Sequence, residues 1–141
     1  MRPVRTSPGR LALRVVTALG LAVDVYVHWK LAPTFDPIVG SGSPTVSQGQ
    51  LFRVEAVAAA VALLLVLLVD RPVSWALAFL VAAGGVAAVL FYAFVDPGEI
   101  GPLPNMYDPG WYPEKTASLV AQAVAAVTAL MGLSGARRVR H

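Results

Sequence analysis

Four stretches of about 20 mostly apolar residues, near 11–30, 50–69, 73–95 and 114–134, constrain this chain more than anything else in it. Val73 to Val95 carries no charge, and neither does Thr116 to Ala136. In lipid every backbone polar group has to be satisfied within its own segment, so stretches of this kind must be helices. The expected fold is an all-α membrane protein, a four-transmembrane-helix bundle running up-down-up-down, with residues 1–141 as one membrane domain. Two long outer loops, about 31–49 and 96–113, would join its helices on one side. A composition that is 57% hydrophobic and 13% charged, with a mean hydropathy of +0.67, fits that solvent and excludes a soluble or disordered chain. The absence of cysteine excludes thiol chemistry, disulfides and Cys-ligated zinc or iron–sulfur sites.

Basic residues set the orientation. Arg2, Arg5, Arg10, Arg14, Arg71, Arg137, Arg138 and Arg140 fall on one side of this arrangement, and only Lys30, Arg53 and Lys115 on the other. That asymmetry puts both termini in the cytoplasm of a plasma-membrane protein. Aromatic residues gather at the outer interface, among them Tyr26, Trp29, Phe91, Tyr92 and Trp111. The basic start resembles a signal peptide, but Arg14 interrupts its apolar region and residues 24–28 offer no small-residue cleavage site, so an uncleaved first helix is expected. The arginines are too few and dispersed for nucleic-acid binding; topology and lipid head groups account for them.

Local signals mark the helix ends. Ser47 with Gln50 predicts a capping box for the second helix, Asp70 followed by Pro72 a cap for the third, and Pro113 a first-turn proline for the fourth. The outer loops share Asp36-Pro37 with Pro44 and Asp96-Pro97 with Pro104 at a constant offset of 60, a pattern compatible with chance or with duplication of a hairpin. Five prolines restrict the second loop before it folds. It would be a rigid recognition surface anchored by Tyr107, Trp111 and Tyr112, or an interfacial plug.

Polar residues within the spans supply the candidate site. Arg14, Thr17, Leu21, Asp24 and His28 recur at spacings of 3 and 4 and share one stripe, which must face protein. Asp24 sits roughly 9 Å below the outer end of its helix, with Glu55 at a comparable depth. Ser118, Gln122, Ala125, Ala129 and Gly132 form a small and polar stripe on the fourth helix, Ala78, Ala82, Gly85 and Tyr92 another on the third, and Glu55, Ala59 and Ala62 a third on the second. Small residues let helices approach closely in lipid. If the stripes converge, Asp24, His28, Arg53, Glu55, Tyr92, Ser118 and Gln122 make a polar ligand pocket in the outer half. Two accounts of this cluster stand: Arg53 neutralises Asp24 or Glu55 structurally, or an acid acts with His28 in proton transfer or ligand binding.

Other chemistries lack residues. A haem held by two imidazoles needs facing histidines, and His28 is alone apart from His141 at the chain end. No metal site is expected from one histidine with Asp24, Glu55 and Met106. There is no phosphate-binding glycine loop; Gly84-Gly85 reads as close helix packing. The expectation is therefore a non-enzymatic membrane component without a resident cofactor, an accessory subunit or small-ligand-binding module. It would contact lipids, and a partner membrane protein or a second copy could bind its outer loops.

Three segments carry a resemblance: Tyr26-Val-His-Trp-Lys30, Ser47-Gln-Gly-Gln-Leu-Phe-Arg-Val-Glu55, and Gly101-Pro-Leu-Pro-Asn-Met-Tyr107 followed by Trp111. In these the chain resembles a group of small four-span membrane proteins of actinobacteria, which brings no assigned activity. The alanine- and arginine-rich, lysine-poor composition agrees with a GC-rich bacterial gene. In architecture alone the chain is also similar to DoxX-like membrane proteins. That likeness implies a quinone-linked redox or proton-coupled function, with quinone or lipid as the ligand and no residue assigned a role.

Overall fold

The computed structural model describes the backbone of residues 7–138 and the side chains to Ala136. Arg2, Arg5 and Arg140, and the side chains of Arg137 and Arg138, lie outside the described residues. Four helices follow one another: α1 (Pro8–Phe35), α2 (Gln48–Leu68), α3 (Pro72–Phe94) and α4 (Pro113–Arg138). Each is long and apolar enough to cross a membrane. The described residues contain no strand, only isolated bridges Val39 to Ser47 and Ile100 to Leu103. The all-helical four-span bundle is thus the observed fold.

α1 packs along α2 and α4, α3 packs along α4, α2 and α3 touch least among neighbours, and α1 barely meets α3 across the diagonal. The start of α1, the α2–α3 turn and the end of α4 meet at one end, here the terminal face, because Arg10 contacts both Asp70 and Gly132. The two long loops share the opposite end, the loop face.

The predicted stripes converge on the axis. Thr17, Leu21, Asp24, Ala59, Ala62, Ala78, Ala82, Gln122, Ala125 and Ala129 are fully buried. Outward positions such as Leu19, Val54, Leu64, Leu80 and Val127 remain exposed, as the lipid-facing side of such a bundle requires. α1 and α4 approach closely at Gly20, where an added Cβ would stand 2.7 Å from the Ala121 carbonyl oxygen. Thr17 and Thr128 share a hydroxyl hydrogen bond of 2.6 Å along the same seam.

Helix ends follow local chemistry with three corrections. The capping box at α2 forms as predicted: Gln50 N donates to Ser47 Oγ at 3.0 Å and Ser47 N to Gln50 Oε1 at 2.8 Å. Pro113 opens α4. Asp70 does not cap α3; Arg71 is the N-cap and makes no side-chain bond. The Asp70 carboxylate is taken instead by Arg10 and by Trp75 Nε1 at 2.8 Å, and the adjacent guanidinium holds that carboxyl below the usual range. α1 runs from Pro8 to Phe35 rather than 11 to 30, with Pro33 inside its last turn. A proline there removes a single backbone bond close to the helix end. The first long loop consequently shrinks to residues 36–47.

Arg14 resolves its place on the buried stripe by capping. Its guanidinium donates to the Val66 carbonyl at 3.1 Å and to that of Leu67, satisfying the end of α2 where the helix dipole favours a cation.

Candidate ligand-binding cavity at the loop face

At the loop face the bundle holds a partly open cavity of about 370 Å³. All four helices and the second loop line it. Val27, His28 and Leu31 come from α1; Leu51, Phe52 and Glu55 from α2; Gly84, Gly85, Ala88, Val89 and Tyr92 from α3; and Lys115 and Ser118 from α4. Leu103, Met106, Asp108 and Tyr112 form the roof. The walls are mainly apolar, with a few polar groups converging at one depth, the usual make-up of a small-molecule site.

Those polar groups begin with Asp24, fully buried behind the wall. Its Oδ1 accepts from Gln122 Nε2 at 2.9 Å and lies 2.6 Å from His28 Nδ1. The same Nδ1 is 3.0 Å from the Asp24 backbone carbonyl. Facing two acceptors, Nδ1 carries a hydrogen, so in a neutral ring Nε2 is an acceptor. The His28 ring meets Phe52 edge-on at 5.0 Å. Glu55 neighbours Asp24 across the α1–α2 seam, carboxyl beside carboxyl. Asp24 Oδ2, Glu55 Oε1, Gln122 Oε1 and Ser118 Oγ are buried without a partner.

The roof is held by its own bonds. Asp108 N donates to the Tyr92 carbonyl at 2.9 Å, and buried Lys115 donates to the carbonyls of Asp108 and, at 2.8 Å, Gly110. Tyr112 donates to Asp108 Oδ2 at 3.2 Å; burial, then the neighbouring Asp108 charge, push its hydroxyl above the ordinary phenol range. The first loop braces the second through Ser41, whose N and Oγ donate to Glu99 at 3.1 and 2.5 Å.

Of the residues singled out in the sequence, His28, Glu55, Tyr92 and Ser118 line the cavity, and Asp24 and Gln122 do not line it but bond to each other beside it. Arg53 does not. It forms a two-point pair with Asp36 at 2.7 and 2.9 Å, and the expectation that it neutralises Asp24 or Glu55 is corrected. That guanidinium keeps the Asp36 carboxyl below its ordinary range. Of the three loop aromatics only Tyr112 turns inward; Tyr107 and Trp111 are exposed. Trp111 lies 6.4 Å from Phe94 and beneath the Lys115 ammonium at 4.7 Å. Gly84 meets nothing, so close packing explains Gly85, against Gln122, but not its neighbour.

Sequence reasoning missed Lys115 as a wall residue. The signal was present: Lys115, Ser118 and Gln122 continue one stripe at spacings of 3 and 4. Among the described residues no three His, Asp or Glu side chains are grouped to hold a metal ion. No known protein family, curated protein or solved structure matches the chain.

Proposed function

We infer that this is a non-enzymatic plasma-membrane protein that binds an amphiphilic small molecule in the cavity under its loop face, with both termini in the cytoplasm. The observation that carries the reading is the cavity itself, apolar along its walls and polar at the level of His28, Glu55 and Ser118. An amphiphile supplies both matching surfaces. The arginine asymmetry of the sequence supports the orientation, and the three quoted segments support kinship with the small actinobacterial four-span group. A role as an accessory subunit would use the exposed Tyr107 and Trp111.

A second reading, a DoxX-like proton-coupled or quinone-linked protein, is favoured by one feature, the facing carboxyls of Asp24 and Glu55. Native mass spectrometry of protein extracted gently from its membrane separates these readings. A stoichiometric small molecule, lost in Glu55→Gln while the variant stays folded, supports binding; a quinone as that molecule favours the second reading. A defined partner chain on a protein with an empty cavity refutes both. For orientation, the chain contains no cysteine, so single substitutions are clean reporters. Ser41→Cys and Asn105→Cys should react with an impermeant thiol reagent on intact cells, and Ser134→Cys should not; the reverse pattern overturns the topology.

A further inference from the structure

The cavity's charge balance says more about the head group of its ligand, and this step rests on the binding reading above. Several ionic groups around the loop face have an opposite partner, while Asp96 and Glu99 in the exposed second loop accept from neutral groups, Asn105 and Ser41. Arg53 pairs with Asp36, Lys30 with Glu114, and Lys115 with Asp108. On α1, Asp24 has His28 as its basic partner. Glu55 on α2 is the one acid inside the bundle that has no basic partner among the described residues. It faces another carboxyl. A buried carboxylate without a basic partner stands in an environment that penalises its charge, and a proton on it relieves that penalty.

The unpartnered atoms point the same way. Asp24 Oδ2, Glu55 Oε1 and Gln122 Oε1 are acceptors, and Ser118 Oγ is a hydroxyl that serves in either sense. Gln122 is fully buried and Ser118 is 3% exposed, so each needs a partner inside the protein. A carboxylate, phosphate or quinone oxygen brought here would meet mostly acceptors. A protonated amine brings up to three donors and one positive charge. Phe52, Tyr92 and Tyr112 are among the lining side chains, and aromatic rings attract such a cation. The Lys115 ammonium does not repel it strongly, since two loop carbonyls and the Asp108 carboxylate already surround that group.

We propose that the cavity receives the ammonium head of an amphiphilic amine, which replaces one proton held at Glu55. The ammonium arrives with one positive charge and the proton leaves to water with another, so the cavity's net charge is unchanged. The alkyl portion lies along Val27, Leu31, Leu51 and Val89. His28 on α1, Tyr92 on α3, Tyr112 and Asp108 in the roof, and Lys115 on α4 are the other titratable groups that face the cavity.

The test uses the whole protein in neutral maltoside micelles and four probes: octylamine, octanol, octanoate and a short-chain quinone. Titration calorimetry in two buffers of different ionisation heat gives affinity and protons released together. Near pH 6–8 octylamine is fully charged, being chemically akin to a lysine side chain with a pKa of about 10.4. Octylammonium should bind at least tenfold more tightly than octanol or octanoate and release about one proton. Where Glu55 holds its proton, affinity should rise about tenfold per pH unit. Glu55→Gln should lose at least tenfold in affinity together with the proton release; the proton count on the unaltered protein needs no variant to fold. Tighter binding of octanol, octanoate or the quinone, or amine binding without proton release, overturns the head-group assignment and leaves the cavity a binding site. Failure of all four probes to bind overturns both.

Discussion

Replacing Gly20 with alanine tests the α1–α4 seam on which Asp24 and Gln122 depend. The new Cβ would stand 2.7 Å from the Ala121 carbonyl oxygen and 2.9 Å from the Ala125 Cβ, about 1 Å inside the usual optimum of roughly 3.5–4.0 Å. Both neighbours are backbone or backbone-fixed atoms, so relief requires the helices to part. The Thr17–Thr128 bond lies on one side of Gly20 and the Asp24–Gln122 bond on the other, at 2.6 and 2.9 Å, and separation by about 1 Å breaks both. Overpacking costs about 1–3 kcal/mol, and an interhelical hydrogen bond in a membrane protein averages about 0.6 kcal/mol. Alanine's better helix propensity returns up to about 1 kcal/mol. The net expectation is a loss of about 1–3 kcal/mol, read as an earlier midpoint when dodecyl sulfate is titrated into neutral micelles and helicity is followed by circular dichroism. Gly84→Ala is the control, because nothing lies within 4 Å of its Cβ; it should be neutral or slightly stabilising. If Gly20→Ala unfolds at the parent midpoint, the seam is not tightly packed and the argument for its polar pairs fails.

Three further outcomes are expected. Trp75 is wholly buried, so Trp75→Ala should cost about 3–5 kcal/mol in the same titration, whereas Asp70→Asn keeps an acceptor for the indole and should cost less. Because the folded Asp70 carboxyl titrates below its usual value, its contribution is present above about pH 4 and lost as pH falls through the depressed value; Asp70→Asn should flatten that acid limb in thermal melts. Asp36 should titrate below about 3.9 in carbon-detected NMR and return toward that value in Arg53→Ala; an unchanged midpoint would refute the pair. Lys115→Met removes the donor to the Asp108 and Gly110 carbonyls and should speed proteolysis within residues 95–112 without changing helicity; equal cleavage rates would show that the roof is held by other contacts.

The spans, their order and their inward faces were legible because the membrane admits so few solutions. A run of apolar residues must be a helix, and a stripe carrying Thr17, Asp24 and His28 cannot face lipid. Pairing was less legible. Arg53 and Glu55 lie two residues apart, about 200° around a helix, so they could not both face the α1 stripe. Depth alone suggested Arg53 as the neutralising partner, while the angle excluded it. Its true partner, Asp36, depends on α1 continuing through Pro33 and on the first loop folding back, with Gln48 N donating to the Ile38 carbonyl at 2.8 Å. Neither follows from periodicity. Asp70 carried a correct cap signal that lost to stronger partners, Arg10 sixty positions earlier and the Trp75 indole.

Small residues do two different things along α3, and the difference produces the cavity. Near the terminal face Ala78 and Ala82 are fully buried, and Trp75 lies against Gly132 of α4. There small side chains bring helices together, as they commonly do in membranes. Further along, Gly85 still packs against Gln122, but Ala88 lines empty volume and Gly84 meets nothing within 4 Å of where a Cβ would stand. Across from them Phe52 is engaged with His28 and Phe35. Glu55 faces Asp24. α2 thus spends its side chains on α1 and leaves α3 unfilled, while Asp108 N bonded to the Tyr92 carbonyl fixes the roof over the gap. A gap bounded by paired rings on one side and a proline-rich roof above cannot close by sliding small residues together. It persists as volume, with Glu55 at its polar end.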